Sequence, residues 1–441
     1  MSKLGIYVQV PFCQTRCTYC NFHTGVVASS RIAPYVEVVC REIWEHRELL
    51  EAAGVNWAAS WGCSGCRPSK LGVNRAAPLQ REGETPRELE RWPASEGEPY
   101  AEKIFAVDTV YIGGGTPSLL DPVHLQNILE AIRASFGKRP ASEGGPYAAE
   151  FEEVTLEADP ETIEAEKATA WVRAGINRVS FGLQSFADKE LIAAGRIHRR
   201  ADIYRAVPIL RKAGIRNISF DLIAGLPHQS KGSWRQSLRE LTALAPEHVS
   251  VYLLEIDEGS RLGKELLHGG GKYGAGEVPD EDEMAEFYEM AQEALGAAGY
   301  HHYEISNWAK PGFESRHNLK YWRREPYLGF GAGAHSFSGT ERWANAHDAA
   351  AYVAAVQGGR LPVEQHETLT AESALEEELF LGLRQLEGID VARIERDYGV
   401  VLSARFDSLT SAGLVEREGS VVRLAPEKLS ISNEVFVELM R

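Results

Sequence analysis

Short apolar runs rich in β-branched residues recur along the first 260 residues. Each run is followed by a polar or glycine-rich turn and then by a stretch with helical periodicity. The runs predict six strands, at residues 5–10, 107–112, 153–157, 178–182, 217–223 and 248–254. Strands that alternate with helices predict an α/β fold, in which a parallel sheet carries its helices on the outside.

Polar residues follow nearly every predicted strand, and their positions favour a barrel over an open sheet. These residues are Cys13, Gly113 to Ser118, Glu157, Gln184 and Asp221. A barrel gathers the C-terminal ends of its strands around one mouth, whereas an open sheet spreads them along a line. We therefore expect a partial (β/α)6 barrel over residues 1–260.

Two segments interrupt this rhythm. Residues 57–102 and 137–150 are rich in Pro, Gly and Glu, and PASEGEPYA in the first returns as PASEGGPYA in the second. Two short copies do not make a repeat architecture, so both segments are predicted surface loops. The first contains Cys63 and Cys66, a lone CxxC pair for which we assign no function.

The C-terminal part predicts a smaller domain. Residues 366–441 carry three helical patterns followed by a short β-like run, LVEREGSVVRLA, which indicates a helical, winged-helix-like domain. Its helices are acidic, which argues against DNA binding. Residues 261–365 form a third region between the barrel and this domain.

Charge and hydropathy limit the partners. The 441 residues carry a net charge of −16, so no basic surface for nucleic acid is indicated. No run of about 18 apolar residues occurs, and the N-terminus lacks the apolar core of a signal peptide. We expect a cytoplasmic protein without stable membrane insertion.

The sharpest chemical signal is PFCQTRCTYCNF, which places Cys13, Cys17 and Cys20 on one loop directly after the first strand. Three thiolates at this spacing can hold three irons of a 4Fe-4S cluster and leave the fourth iron open to an exchangeable ligand. Structural zinc is the alternative, but it requires a fourth ligand, and His23 does not complete a usual zinc spacing.

The second strand ends in YIGGGTPS, where three successive glycines let the backbone approach a ligand or another segment closely. Such a turn is by itself weak, since many βα connections contain glycine. Beside a cysteine loop it indicates a cofactor site.

Ordered motifs along most of residues 4–338 resemble the radical S-adenosylmethionine superfamily. Within it they resemble the branch of oxygen-independent coproporphyrinogen III oxidase and the HemW-type heme chaperones. The matching stretches are IYVQVPFCQTRCTYCNF, VDTVYIGGGTPSLL, LEADPETI, NRVSFGLQSF, GRIH, ISFDLIAGLPHQS, HVSVYLLE, YEISNWAKPGFESRHNLKYW and YLGFGAGAHSF.

The resemblance implies a 4Fe-4S cluster and S-adenosyl-L-methionine as cofactors. It also implies which residues lie around S-adenosyl-L-methionine. They are Tyr7, Tyr19, Gly114, Gly115, Thr116, Glu157, Gln184, Arg196 and Asp221. It further implies that HNLKYW is associated with heme, with His317 as a candidate axial ligand. A buried, hydrogen-bonded histidine is the alternative for this position.

Two functions remain open within this branch. A heme chaperone would bind heme, an electron donor for the cluster and heme-acceptor proteins, whereas a coproporphyrinogen III dehydrogenase would be an enzyme of porphyrin biosynthesis. The oxidase pattern has a fourth cysteine where this chain has Phe22, and it has an N-terminal extension where this chain begins six residues before Tyr7. Both departures favour the chaperone. A cluster-dependent redox module without heme is a third possibility.

Overall fold

The structure is a computed structural model that describes residues 2–20, 24–26, 28–52, 105–136 and 151–440. Both predicted surface loops lie outside these residues, as do Phe22, His23, Cys63 and Cys66.

Six parallel strands form the core of the described structure. They are β1 (Ser2–Val10), β2 (Phe105–Gly114), β3 (Glu153–Ala158), β4 (Arg178–Gln184), β5 (Asn217–Ala224) and β6 (His248–Leu253). Each pairs in parallel with the next, from β1 through to β6. The predicted strands and the parallel α/β architecture are confirmed.

Helices cover the outside of this sheet. They are α1 (Ile32–Ala52), α2 (Pro122–Phe136), α3 (Ala165–Ala174), α4 (Asp188–Ala193), α5 (Arg200–Ala213) and α6 (Lys231–Leu244). In α2 the buried residues Leu125, Ile128, Leu129 and Ile132 recur three and four positions apart, so one helical stripe faces the sheet. The helices thus leave the other face of the sheet to form the barrel interior.

The middle region extends both edges of the sheet. Its strands are β7 (His301–Glu304), β8 (Asn307–Ala309), β9 (Tyr327–Phe330), β10 (His335–Phe337), β11 (Glu341–Asn345) and β12 (Val363–Thr368). Strand β9 pairs in parallel with β1, and β8 pairs antiparallel with β6. The helices here are α7 (Arg261–Leu267), α8 (Glu281–Ala297), α9 (Arg316–Trp322) and α10 (Ala349–Gln357).

The C-terminal part has the predicted winged-helix-like composition. Its elements are α11 (Ala371–Leu383), β13 (Ile389–Asp390), α12 (Val391–Tyr398), α13 (Ser403–Ser411), β14 (Val415–Glu418), β15 (Val421–Leu424) and α14 (Ser432–Leu439). Strands β14 and β15 form an antiparallel hairpin, and β13 adds to its edge. Among the described residues no helix is long and apolar enough to cross a membrane.

A buried carboxyl group joins α1 to the middle region. Glu42 accepts hydrogen bonds from the Gly331 backbone N–H (2.9 Å), the Asn345 amide (2.7 Å) and the Tyr352 hydroxyl (2.6 Å). Burial raises the pKa of Glu42 from 4.5 to about 7, although these three hydrogen bonds lower it. The sheet extension is therefore fastened to the first helix through a group that titrates near neutral pH.

Glu42→Gln tests this fastening. Because the folded-state pKa of Glu42 is raised to about 7, its stabilising contribution is full below pH 4.5 and is lost as pH rises through 7. Across this window we expect the unfolding free energy of the wild type to fall by about 3 kcal/mol more than that of Glu42→Gln. Urea unfolding at a series of pH values measures the difference. Glu45→Gln on the same helix should behave like the wild type, and equal pH profiles for all three proteins would contradict the assignment.

Candidate functional site

A cavity of about 380 Å³ opens where the six parallel strands end. Cys13, Cys17 and Cys20 all line it, so the structure brings the three predicted cluster ligands to one place. Residues from β2, β3, β4, β5 and β6 line the same cavity. This shared mouth is the arrangement expected of a partial barrel.

Backbone hydrogen bonds hold the cysteine loop from several directions. The N–H of Cys13 donates to the carbonyl of Gly25 at 3.1 Å, and that of Thr18 donates to the carbonyl of Ala194, after α4, at 3.0 Å. In return the Thr18 carbonyl accepts from the N–H of Leu262 in α7 at 2.8 Å. The loop is therefore positioned by helices distant in the chain as well as by its own strand.

The glycine turn after β2 packs directly on this loop. The N–H of Gly115 donates to the Val10 carbonyl at 2.8 Å, and that of Thr116 donates to the Phe12 carbonyl at 2.7 Å. A Cβ atom at Gly115 would lie 2.3 Å from the Phe12 carbonyl oxygen and 2.9 Å from Cys13 Sγ. Only glycine permits this approach, because the distances are far below van der Waals contact.

The three thiols sit in a crowded setting. Burial raises the pKa of the Cys13 thiol, and the neighbouring Cys20 and Cys17 raise it further. The Arg196 guanidinium donates to Cys17 Sγ at 3.3 Å. In the described part of the chain no three Cys, His, Asp or Glu side chains lie close enough to chelate one metal ion.

Glu157 is tied to the glycine turn. It accepts hydrogen bonds from the Tyr111 hydroxyl at 2.8 Å and from the Gly114 backbone N–H at 2.9 Å. Burial raises the pKa of Glu157 to about 7, and these two hydrogen bonds oppose that rise. Gly114 adopts φ +114°, a left-handed conformation that suits glycine. The predicted residues Gly114 and Glu157 thus form one unit.

Arg196 lies between β4 and the cysteine loop. It forms an ion pair with Asp159 and donates to the Gly182 carbonyl at 2.8 Å, in addition to its contact with Cys17. Burial alone would lower the pKa of Arg196, but the Asp159 carboxylate and the Cys17 sulfur raise it well above its ordinary value. Thr116 donates to the same Asp159 carboxylate at 3.2 Å. Arg196 and Thr116 are therefore joined through Asp159, which is not among the predicted site residues.

The remaining predicted residues of the barrel strands also reach the cavity. Gln184 ends β4 with φ 67°, a strained conformation for a residue other than glycine. Asp221 accepts from the hydroxyls of Ser180 (3.1 Å) and Ser219 (3.4 Å), and burial raises its pKa. Tyr19 lines the cavity next to the cysteines.

Tyr7 lies one layer behind the cavity. Its ring stacks on that of Tyr111, with 5.9 Å between centroids, and Tyr111 in turn lines the cavity. The Tyr7 hydroxyl donates to the side chain of Gln9 at 2.6 Å. In this arrangement Tyr7 supports the wall of the site.

His317 is not open as an iron ligand. It is fully buried; its Nδ1 lies 3.0 Å from Thr109 Oγ1 and its Nε2 lies 2.9 Å from the Tyr321 hydroxyl. Burial lowers the pKa of His317 to about 3, so the imidazole is neutral. Axial ligation through Nε2 would require it to leave the Tyr321 hydroxyl, and ligation through Nδ1 would require it to leave Thr109. The next residue, Asn318, lines the cavity instead.

Tyr111, Arg178 and Asp159 line the cavity but are not among the predicted site residues. Tyr111 and Arg178 occupy inward-facing strand positions, and Asp159 follows Glu157 by two residues. The two-residue period of a strand was the available signal for Tyr111, which it puts on the same face as Gly113, and for Arg178, which it puts on the face of Ser180 and Gly182. Asp159 lies one residue past the end of β3, where that period no longer applies.

The chain is similar to known families and proteins. The Radical SAM superfamily matches residues 7–241, and the HemN C-terminal domain matches residues 369–427. A protein of Bacillus subtilis named heme chaperone HemW is 31% identical over 98% of this chain and 97% of its own length. The Escherichia coli protein of the same name is 39% identical over 76% of this chain and 70% of its own length.

Among solved structures, Escherichia coli coproporphyrinogen III oxidase, HemN, superimposes with a TM-score of 0.74 at 18% identity. The match covers 99% of this chain and 90% of that one, and it shows a shared fold. The 31% identity to the Bacillus subtilis protein exceeds the 18% identity to HemN over a similar share of the chain. The chain therefore belongs to the radical SAM superfamily and, within it, to the family of proteins named heme chaperone HemW.

Proposed function

We propose that this protein is a heme chaperone of the HemW type. It binds a 4Fe-4S cluster, S-adenosyl-L-methionine and heme, and it delivers heme to acceptor proteins. The observation that carries the proposal is the 31% identity to a protein named heme chaperone HemW across 98% of the chain. The converging cysteines support the cluster, and the HNLKYW segment beside the cavity supports heme.

Cys13, Cys17 and Cys20 hold the cluster in this proposal. Such a cluster, reduced by an external electron donor, would supply an electron to S-adenosylmethionine bound beside it. The protein keeps the loop in place through its bonds to Gly25, Ala194 and Leu262. The Arg196 guanidinium places a positive charge beside the Cys17 sulfur.

The glycine turn and the polar strand ends hold S-adenosylmethionine next to the cysteines. Glu157 and Asp221 offer carboxylate oxygens to hydroxyl or ammonium groups, and Gln184 offers an amide. Gly115 and Thr116 bring the turn close to the cysteine loop, so a ligand bound by the turn lies beside the cluster. Tyr19 closes this end of the cavity.

The three regions of the chain have different roles. Residues 1–260 form the cofactor barrel, residues 261–365 carry HNLKYW against its floor, and residues 366–441 form the C-terminal domain. His317 acts in heme binding either as a ligand, after one ring nitrogen is released from Thr109 or Tyr321, or by positioning the segment around it.

Replacing any one of Cys13, Cys17 or Cys20 by Ala should abolish anaerobic reconstitution of about four irons per chain, because each thiolate ligates one iron. Iron analysis and visible absorption measure the loss, and circular dichroism checks that the variants are folded. The double variant Cys63→Ala/Cys66→Ala should retain its iron. Loss of iron from the double variant would contradict the ligand assignment.

Gly115→Ala should weaken the cysteine site without removing a ligand. The added Cβ would lie 2.3 Å from the Phe12 carbonyl, so the turn must move away from the loop. We expect a loss of stability of about 1–3 kcal/mol and less iron per chain, measured by thermal unfolding and iron analysis. Gly25→Ala is the control in the same loop, since its Cβ would meet no atom within 4 Å. Identical behaviour of the two variants would exclude the close approach as a requirement.

Heme titration tests the function itself. Purified protein should give a Soret band with heme. With coproporphyrinogen III, S-adenosylmethionine and a reductant under anaerobic conditions, it should yield no protoporphyrinogen IX. Catalytic formation of that product would replace the chaperone proposal by a dehydrogenase, and absence of both signals would leave a cluster-dependent redox module.

Two variants separate the possible roles of His317 in that titration. His317→Ala removes the imidazole, whereas Tyr321→Phe removes only the hydroxyl that bonds Nε2. If His317 ligates iron, His317→Ala alone should shift the Soret band. If it positions the segment, both variants should weaken heme binding to a similar extent.

A further inference from the structure

The cavity continues far below the cysteine loop into a polar barrel interior. Alternate residues of β4 and β6 line it: Arg178, Ser180, Gly182, Gln184, His248, Ser250 and Tyr252. The seven residues of β4 span about 20 Å at ~3.3 Å per residue. Barrel interiors are usually filled by branched apolar side chains, so a polar lining over this length indicates a ligand space.

Arg178 stands at the deep end of this space without an anionic partner. Arg178 is only 1% exposed to solvent, and its Nε is buried without a hydrogen-bond partner. Among the described residues no carboxylate oxygen lies within 4.0 Å of the guanidinium nitrogens of Arg178, so it forms no ion pair with them. Asp221 is near enough for Arg178 to lower its pKa, but Asp221 is bonded to Ser180 and Ser219.

A buried guanidinium without a partner is costly, because it has lost its hydration and gained no ion pair. A second polar group nearby also lacks a partner. Thr155 lies opposite Arg178 in the register of β3 and β4, and its hydroxyl is buried without a hydrogen-bond partner. Neither group is satisfied by the chain. An anion from outside would satisfy the guanidinium and could also accept from a hydroxyl.

The charges around the cavity select the kind of anion. The described lining includes four acids and three arginines: Glu157, Asp159, Glu161, Asp221, Arg16, Arg178 and Arg196. Arg196 is already paired with Asp159, so it is not available to balance the second charge of a dianion such as phosphate. A single carboxylate matches the planar guanidinium fork of Arg178. His248 adds no positive charge, since burial lowers its pKa well below the ordinary value.

We propose that the interior of the barrel holds a carboxylate group of a second ligand, apart from the cofactor at the cysteine loop. Arg178 is its anchor. Ser250 and Tyr252 from β6 and Asn318 from α9 line the same space and supply hydroxyl and amide donors. The site goes beyond the proposed function, because it needs neither the cluster nor heme iron. The carboxylate belongs either to a free small molecule or to a propionate arm of heme.

The test for a free carboxylate is the thermal midpoint of the reconstituted full chain in sodium propionate, against sodium chloride at the same ionic strength. The wild type should gain stability with propionate concentration, as expected when a ligand binds only the folded state. Arg178→Met should lose this gain while being no less stable than the wild type without propionate. Arg324→Met is the control: the Arg324 side chain is 10% exposed and is paired with Glu377 at 3.2 Å, so this variant should be less stable and keep the gain.

Saturating S-adenosylmethionine locates the site. A propionate effect that persists with it supports a separate site, and an effect that disappears overturns the proposal, because propionate would then be replacing the carboxylate of the cofactor.

Comparing the binding of heme with that of its dimethyl ester tests whether the carboxylate is a propionate of heme. If a heme propionate is the ligand, the wild type should bind heme about tenfold more tightly than the ester, and Arg178→Met should bind both alike. Equal binding of heme and ester by the wild type, together with no effect of propionate, overturns the carboxylate site and leaves the heme proposal standing. Stabilisation by propionate without any heme binding would support the site and contradict the heme proposal.

Discussion

The close approach of the glycine turn to the cysteine loop is the constraint on which the rest of the site depends. Gly115 and Thr116 donate to carbonyls on either side of Pro11, and no side chain larger than hydrogen fits at Gly115. This contact fixes the loop against β2, the neighbour of its own strand. Because Gly114 also donates to Glu157, the same turn sets the position of the polar end of β3.

Acid and base groups around the mouth are arranged in small, mutually bonded sets. Asp159 joins Thr116 to Arg196, and Arg196 reaches the sulfur of Cys17. Such connected networks resist rearrangement more than isolated side chains, since moving one member leaves another buried and unsatisfied. Arg178 lies in the same interior but belongs to none of these networks. A buried guanidinium without an anionic partner favours an anion that comes from a bound ligand.

The middle region closes the other end of the barrel. Helix α9 donates two backbone N–H groups to Glu153 at the start of β3, and His317 contacts Thr109 of β2. HNLKYW is therefore divided between two tasks: His317 is packed into the floor, while Asn318 faces the cavity. Any heme chemistry of this segment has to begin from that packed state.

The sequence by itself determined the parts whose signals are local. Alternation of apolar runs predicted six strands in order, and the spacing of Cys13, Cys17 and Cys20 predicted a shared site, because both depend on neighbours in the chain. It did not reveal the edge strands of residues 301–368, which are short and whose pairing depends on distant strands. The tertiary structure alone decided that Asp159 pairs with Arg196, that His317 is engaged at both nitrogens and that Arg178 is left unpaired. Those contacts join side chains from different strands and helices that the barrel brings together. Residue type and spacing along the chain do not predict them, because the partners are distant in sequence.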